Sequence, residues 1–164
     1  MPGRLDDGRF IEVRLDGGEA LAFVRGPVNT STTAVVLLHD RATNARSWEL
    51  VMRRFPADLA VIAPDLRGRG SAWRLPPSVG LANHVADLDV LLEQLDIDHA
   101  IVVGHGFGAE VAAQISDRAF GYLDAPVKRV AGAFSSIPFA DPLEKAVLPQ
   151  DDDILAAARE VLAF

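Results

Sequence analysis

The amino-acid sequence predicts an α/β fold with a mostly parallel sheet of about six strands flanked by helices. Short, continuously apolar runs recur along the 164 residues, as expected for strands that are covered on both faces. Segments with apolar residues at helical spacing separate these runs. Because strands that alternate with helices are joined by right-handed crossovers, their carboxyl ends meet at one edge of the sheet. We therefore expect the functional residues at that edge.

The N-terminal half is predicted to contain a hairpin, two buried strands and a helix. Residues 9–15 and 19–25 flank an Asp-Gly-Gly turn, a pattern typical of a β-hairpin. The buried strands are expected at residues 34–38 and 59–63. Between them, residues 44–55 place their large apolar side chains on one face of a helix.

The C-terminal half continues the alternation of strands and helices. The expected elements are a loop at 67–80, a helix at 81–95, a strand at 99–103, a helix at 109–116, a sixth strand at 127–134 and a helix at 154–162. The loop is rich in proline and glycine, and the first of these helices carries leucines at helical spacing. No internal repeat or low-complexity tract marks a second domain, so we expect a single domain over residues 1–164.

A glycine-rich turn follows the strand at 99–103. It reads Gly104-His105-Gly106-Phe107-Gly108 and leads into a predicted helix. A strand, a tight turn and a helix in this order are the setting of the nucleophile elbow, G-x-S-x-G. Gly106 stands at the nucleophile position, so the sequence predicts the frame for covalent catalysis without its hydroxyl. An engineered or sequencing change at this position is the alternative explanation.

Three motifs resemble those of the α/β-hydrolase family, in its lid-bearing esterase and epoxide-hydrolase-like branch. That branch has LLHG, DLRGHG and GHSxGG at the ends of three successive strands, and this chain has LLHD, DLRGRG and GHGFGA at matching intervals. The resemblance covers roughly residues 8–140. It implies a hydrolase core that departs from the family at Asp40, at Gly106 and at the C-terminus, where we expect a truncation about 30 residues after the sixth strand.

The family's catalytic triad requires a serine, an acid and a histidine in that chain order. The four histidines are His39, His84, His99 and His105, so none follows the elbow. By the resemblance, His39 and His105 neighbour the site, where we expect satisfied, half-buried side chains rather than bases. His84 is expected on the solvated side of its helix. Asp141 follows the sixth strand, as the acid does in some relatives, but is expected to begin a helix.

The resemblance also implies an oxyanion hole formed by the backbone N–H groups of Phe107 and Arg41. Asp40 replaces the family's glycine beside Arg41. Its carboxylate would oppose a developing oxyanion, but with a raised pKa it would serve as a general acid or base, which makes it the candidate catalytic residue. The alternative is that Asp40 caps the following loop with its side chain in solvent. Trp73 and Phe107 are expected to wall an apolar pocket, with Ser135 at the same edge of the sheet.

The composition excludes several partners and chemistries. The net charge of −7 disfavours nucleic acid as a partner. Because the chain has no cysteine, it has no disulfide, thiolate nucleophile or cysteine-metal site, and we expect no metal and no cofactor. The N-terminus lacks the apolar segment of a signal peptide, and no apolar run approaches the roughly 20 residues of a membrane span. We expect a cytoplasmic protein with a small-molecule ligand and no membrane partner.

Several functions stay open on the sequence alone. The first is a non-hydrolytic enzyme that promotes a cyclisation, elimination or isomerisation with backbone donors and a carboxylate. The second is a non-catalytic binding or assembly protein. A split-hydrolase half is disfavoured by Gly106. Dinucleotide binding is suggested by Gly104-x-Gly106-x-x-Ala109, but the next strand does not end in the acidic residue that would hold a ribose.

The sequence also predicts a homodimer or a larger oligomer. The sixth strand, at 127–134, would lie bare at the sheet edge without the further strands of the family, and bare edges invite pairing. Two subunits would join these edges, or the helix at 154–162 would cross to the neighbour. If that helix instead folds back over its own edge, the chain is a monomer.

Overall fold

The computed structural model describes residues 8–76, 78 and 80–164, which form two compact units. The first unit ends at Arg118 and the second spans Ala119–Phe164. The strands are β1 (Arg9–Leu15), β2 (Gly18–Arg25), β3 (Thr33–Leu38), β4 (Ala60–Pro64) and β5 (His99–Gly104). The helices are α1 (Glu49–Met52), α2 (Ala82–Gln94), α3 (Phe107–Arg118), α4 (Asp141–Val147) and α5 (Asp151–Leu162). Short 3-10 helices occupy Ala45–Trp48, Gly70–Arg74 and Phe120–Tyr122. Whether the chain is one domain stays a prediction.

The five strands form one mixed sheet in the order β1-β2-β4-β3-β5. The predicted hairpin supplies the antiparallel part, in which β1 pairs with β2 and β2 pairs with β4. Strand β3 runs parallel to both of its neighbours, so Val36 pairs with Ile62 on one side and with Val102 on the other. The α/β fold is therefore confirmed, and the carboxyl ends of β3, β4 and β5 lie at one edge.

Helices cover both faces of this sheet. Side chains of successive strand residues point to opposite faces, so each strand contributes side chains to both. On one face, Val36 and Leu38 belong to the same buried cluster as Leu88 of α2 and Val111 of α3. On the other face, Val35, Leu37 and Val61 pack with Met52 of α1 and with Phe10, Trp48 and Phe55. The strand β3 is thus buried on both sides, as its continuously apolar sequence predicted.

Two predicted elements differ from the structure. The helix expected at 44–55 is split into a 3-10 turn and the single-turn α1, and Pro56 disfavours helical backbone at the residue before it. Residues 127–134 form no strand. A strand needs a neighbour to receive its hydrogen bonds, and the described part of the second unit contains no other strand. Here the backbone N–H of Ala133 instead donates to Val147 O, 2.8 Å away.

The described side chains of the second unit form no buried core. Asp141 begins α4, as predicted, and α5 begins with a capping box between Gln150 and Asp153. None of the side chains described for residues 119–164 is buried. A segment this small rarely gains enough apolar burial to be stable alone. Among the residues that the structure describes, no helix is long and apolar enough to cross a membrane.

Candidate functional site

The elbow geometry predicted from the sequence is present in the first unit. Strand β5 ends at Gly104 and α3 begins at Phe107, so the turn between them consists of His105 and Gly106. Gly106 has a φ of +54°, in the left-handed region that favours glycine. His39 and Asp40 follow β3 at the same edge of the sheet.

The carboxylate of Asp40 fills the space where an elbow nucleophile would begin. A Cβ atom built on Gly106 would lie 2.1 Å from Oδ1 of Asp40 and 2.5 Å from its Cγ. The same Oδ1 accepts a hydrogen bond from the backbone N–H of Phe107, with a donor–acceptor distance of 2.7 Å. This N–H is one of the two oxyanion-hole donors implied by the resemblance. The candidate hole is therefore occupied by a side chain of the protein itself.

Hydrogen bonding keeps Asp40 ionised. The backbone N–H of Phe107, followed by that of Arg41, holds the pKa of the Asp40 carboxyl below its usual value of 3.8. The general-acid role predicted for Asp40 required a raised pKa, so that condition is not met. The alternative prediction, a side chain in solvent, is also wrong, because Asp40 is half-buried and bonded to Phe107. Asp40 instead caps the N-terminus of α3, where a negative charge is favourable.

His39 is a structural histidine with both ring nitrogens engaged. Its side chain is buried, and Nε2 accepts a hydrogen bond from the backbone N–H of Leu66 at 3.0 Å. Nδ1 therefore carries the proton and donates to the carbonyl oxygen of Asp40 at 2.7 Å. Burial is the main cause of the lowered pKa of His39. The predicted satisfied histidine is confirmed, and His39 holds the turn that presents Asp40.

The turn after β4 is fixed by Asp65 and Arg67. Asp65 Oδ2 accepts hydrogen bonds from the backbone N–H and the hydroxyl of Ser71, and its Oδ1 accepts one from the N–H of Ala45. The Arg67 guanidinium forms a two-pronged ion pair with Asp87 of α2, at 2.9 and 2.6 Å. Only 3% of the Arg67 side chain and 14% of the Asp87 side chain are exposed. These contacts are structural.

The ring of Phe107 lies between a cation and a histidine. The Arg41 guanidinium carbon lies 4.6 Å from the ring centroid, and His84 packs edge-on with centroids 5.1 Å apart. The prediction that His84 is solvated is wrong, since it is 95% buried. His84 lies four residues before Leu88 and seven before Leu91, so the apolar stripe of α2 was the signal that places it inside. Burial lowers the pKa of His84, and its Nδ1 has no hydrogen-bond partner within the described residues.

The other predicted site residues are His105, Trp73 and Ser135. His105 is exposed, so the half-buried side chain predicted for it is wrong. The side chain of Trp73 is 63% exposed, with the Arg74 guanidinium 4.7 Å from its ring. Ser135 lies in the second unit, and the strand that was to bring it to the sheet edge does not form. The cavity beside His84 has a volume of about 20 Å³, enough for one water molecule but not for a substrate.

The two buried histidines are expected to make the protein less stable in mild acid. Both have lowered pKa values in the folded state. The unfolded chain therefore takes up protons below about pH 6.5 while the folded chain does not, so stability is fully present above that pH and is lost as the pH falls. Nearby carboxylates of Asp40, Asp65 and Asp87 oppose this loss, and Arg67 and Arg69 increase it.

Urea unfolding at pH 7.5 and pH 5.5 tests this expectation. The free energy of unfolding should fall between the two values, and His84→Gln should reduce the difference. The exposed His99 provides the matched variant, His99→Gln, which should leave the difference unchanged. Equal stability of the unaltered protein at both pH values would contradict the burial of neutral His39 and His84.

Comparison with known proteins shows that the chain is similar to α/β hydrolases. The sequence profile described as "Alpha/beta hydrolase family" matches residues 35–163. A loop variant of a haloalkane dehalogenase from Bradyrhizobium elkanii superposes with a TM-score of 0.61 at 24% identity, over 68% of this chain and 36% of that chain. An epoxide hydrolase from Vigna radiata gives 0.60 at 22% identity, over 83% and 46%. An epoxide hydrolase from an endophytic Streptomyces gives 0.58 at 25% identity, over 68% and 34%.

A second likeness was not predicted from the sequence. The chain is 49% identical over 55 residues to the mitochondrial pyruvate dehydrogenase E1 component subunit beta-2 of Oryza sativa subsp. japonica, a match covering 34% of this chain and 15% of that protein. The corresponding subunit beta of Rickettsia felis is 35% identical over 84 residues, covering 48% and 26%. The chain thus spans about a quarter or less of these relatives.

Proposed function

This chain belongs to the alpha/beta hydrolase family, and from that premise we propose that it is a member that carries out no hydrolysis. The observation that carries the proposal is the position of Asp40. Its carboxylate accepts the Phe107 N–H and occupies the space beside Gly106, so both the oxyanion hole and the nucleophile position are closed. A carboxylate in that hole would repel a negatively charged tetrahedral intermediate instead of stabilising it.

The same contact weighs against an enzyme for cyclisation, elimination or isomerisation. Such an enzyme would need a free backbone donor and a carboxylate of raised basicity beside its substrate. Here the donor of Phe107 and the carboxylate of Asp40 satisfy each other, and the pKa of Asp40 is lowered. We therefore favour the non-catalytic alternative, a binding or assembly protein, over the enzyme.

The second unit supports an assembly role. The three hydrolase structures cover between 68% and 83% of the chain, and the two dehydrogenase subunits match 34% and 48% of it. The first unit contains the whole five-stranded sheet, whereas the described part of the second contains no strand. The match to the hydrolase family extends to residue 163 and does not separate the two units. We propose that the dehydrogenase-like stretch is the second unit with the end of α3, and the contrast in fold is our reason. The relatives are subunits of a larger component, and we propose that this segment serves association.

Self-association and a cytoplasmic location stay predictions. The predicted dimer edge at 127–134 has lost its basis, because these residues form no strand. Strand β5 is the edge of the sheet in the first unit, and 43% of Ile101 and 40% of Val103 are exposed on it. An edge strand of this kind provides the remaining basis for pairing between two copies.

The protein should not hydrolyse p-nitrophenyl acetate faster than an equal mass of albumin in the same buffer. The reason is that Gly106 offers no nucleophile and that Asp40 fills the hole. The assay follows nitrophenolate release over a range of substrate concentrations. Saturable turnover that disappears in the Asp40→Asn variant would overturn the proposed function.

A further inference from the structure

The second unit exposes large apolar side chains on one short segment. Residues 134–139, which we name the aromatic loop, carry Phe134, Ile137 and Phe139. Both phenylalanines are fully exposed, and 64% of Ile137 is exposed. Exposed apolar residues scattered singly are ordinary, but three of them within six positions indicate a surface that becomes covered.

Both ends of the aromatic loop are fixed to α4. The N–H of Ala133 donates to the carbonyl oxygen of Val147 over 2.8 Å, and the carbonyl oxygen of Ala140 accepts the N–H of Leu143 over 2.9 Å. A segment with fixed ends loses less conformational entropy when its side chains bind. The loop is therefore suited to insert into a partner.

The same unit contains a groove with a volume of about 520 Å³, lined by residues from 128–133, from 146–149 and from α5. An apolar cavity of about 150 Å³ accepts one benzene ring, so this groove has room for more than one aromatic side chain. We name it the alanine groove, because alanine lines several of its sides, as at Ala131 and Ala146. The α5 residues that line it are spaced as one face of a helix, and they are Asp153, Ala156, Ala157 and Glu160.

One wall of the alanine groove presents unpaired peptide groups. Among the described residues, no backbone N–H of residues 128–132 donates to another backbone group. The same holds for the N–H groups of Ser136, Ile137 and Phe139 in the aromatic loop. Peptide groups without partners can pair with a segment of another chain through main-chain hydrogen bonds. The groove and the loop are therefore complementary in their backbones as well as in their side chains.

Charges at the groove and at the loop are also complementary. Within the groove, Lys128 forms an ion pair with Glu160, and Asp153 accepts the N–H that begins the capping box of α5. Arg129 lines the groove and Asp141 follows the aromatic loop, and neither forms an ion pair with a described residue. The guanidinium of one copy and the carboxylate of another are thus available to each other.

The remaining charges of the second unit set only a weak repulsion between copies. The unit has four basic and seven acidic side chains, so two copies repel each other at long range. At about 0.15 M salt this repulsion is screened beyond about 8 Å, and the contacts at short range decide. Among the described residues, the charged side chains outside the groove and beyond Asp141 are Lys145, Arg159, Asp124, Glu144, Asp151 and Asp152.

We infer that two copies of this chain associate by inserting the aromatic loop of each copy into the alanine groove of the other, an inference that rests on the assembly role proposed above. Because loop and groove belong to the same chain, one twofold axis satisfies both contacts at once. Such a closed dimer covers Phe134 and Phe139 in each copy and brings Asp141 of one copy to the partner's Arg129.

Sedimentation velocity of the full chain tests the dimer in about 0.15 M salt. We expect the mass of two chains at a protein concentration of about 100 µM, with dissociation on dilution. The loop variant Phe134→Ser/Phe139→Ser should weaken the dimer by about tenfold or more, and the groove variant Ala156→Phe should weaken it by filling the groove. Phe164 is 82% exposed and lies outside the loop, so Phe164→Ser is the matched control and should leave the dimer unchanged.

A mixture of the loop variant and the groove variant tests the reciprocal insertion itself. In the mixed dimer, the intact loop of the groove variant enters the intact groove of the loop variant. One of the two contacts is therefore retained, and the mixture should associate more strongly than either variant alone. Contact between two aromatic loops does not predict this recovery, because the loop variant would have no loop to offer.

Four outcomes would overturn the inference: a monomer at about 100 µM, equal weakening by the loop and control variants, a mixture without recovery, or a dimer that the loop variant leaves intact, as pairing at β5 would be. All substituted residues are exposed, and unchanged circular dichroism spectra confirm that the variants fold. The ester assay distinguishes the two proposals. A monomer without hydrolysis removes the reciprocal insertion alone, whereas hydrolysis removes the closed site whatever the mass of the protein.

Discussion

Replacing Gly106 with serine is expected to destabilise the protein without creating a hydrolase. Any side chain at this position meets a φ of +54°, which costs about 1–3 kcal/mol. The new Cβ would also lie 2.1 Å from Oδ1 of Asp40, so the carboxylate must move and release the N–H of Phe107. The restored hydroxyl would find no base, because no histidine follows the elbow and both ring nitrogens of His39 are engaged. Urea unfolding and the p-nitrophenyl acetate assay measure the two effects.

Two further variants separate the cost of the backbone strain at Gly106 from the cost of the steric clash with Asp40. Gly68 has a φ of +79°, and no atom of the described residues lies within 4 Å of its built Cβ, so Gly68→Ser reports the backbone strain alone. Gly106→Ser should therefore cost more than Gly68→Ser. In an Asp40→Gly background the difference should shrink, because the collision has been removed. Strict additivity of the Asp40 and Gly106 substitutions would show that the two residues do not compete for one space.

Replacing Asp87 with alanine is expected to cause a loss of stability of about 3–5 kcal/mol. The substitution leaves the Arg67 guanidinium nearly buried without its counter-charge, with the carbonyl oxygens of Asp16 and Pro76 as its remaining acceptors. Asp89 lies on the same helix and is exposed, so Asp89→Ala is the matched control and should change the free energy of unfolding little. The measurement is urea unfolding at neutral pH. A loss below about 1 kcal/mol, as for a surface ion pair, would contradict the burial of this contact.

The parallel part of the sheet was predictable because its strands are continuously apolar and end in motifs of fixed spacing. The same pattern placed Gly106 at the elbow, where the structure has it, whereas the missing triad stays a prediction. The conformation of Asp40 was not predictable in this way, since its partner Phe107 is 67 positions away and the contact depends on how two strand ends meet. Local pattern alone suggested a solvated side chain there.

Two other errors have different physical causes. His84 was assigned to the solvated side of its helix, whereas its spacing from Leu88 and Leu91 puts it on the buried stripe of α2. Residues 127–134 were predicted as the sixth strand because they continue the alternation of strands and helices, but the described part of the second unit contains no other strand and the segment does not form one. Burial against the sheet decided the position of His84, and the lack of a strand to pair with decided the conformation of residues 127–134.

The closure of the oxyanion hole by Asp40 is tested most directly by its titration in solution. NMR can follow the carboxyl carbon of Asp40 and the amide proton of Phe107 in the same samples as the pH is lowered from 7. We expect Asp40 to titrate below its usual value of 3.8, with the Phe107 amide shifting at the same midpoint and losing that response in Asp40→Asn. A midpoint at or above 3.8, or a Phe107 amide that does not follow Asp40, would contradict the closed hole.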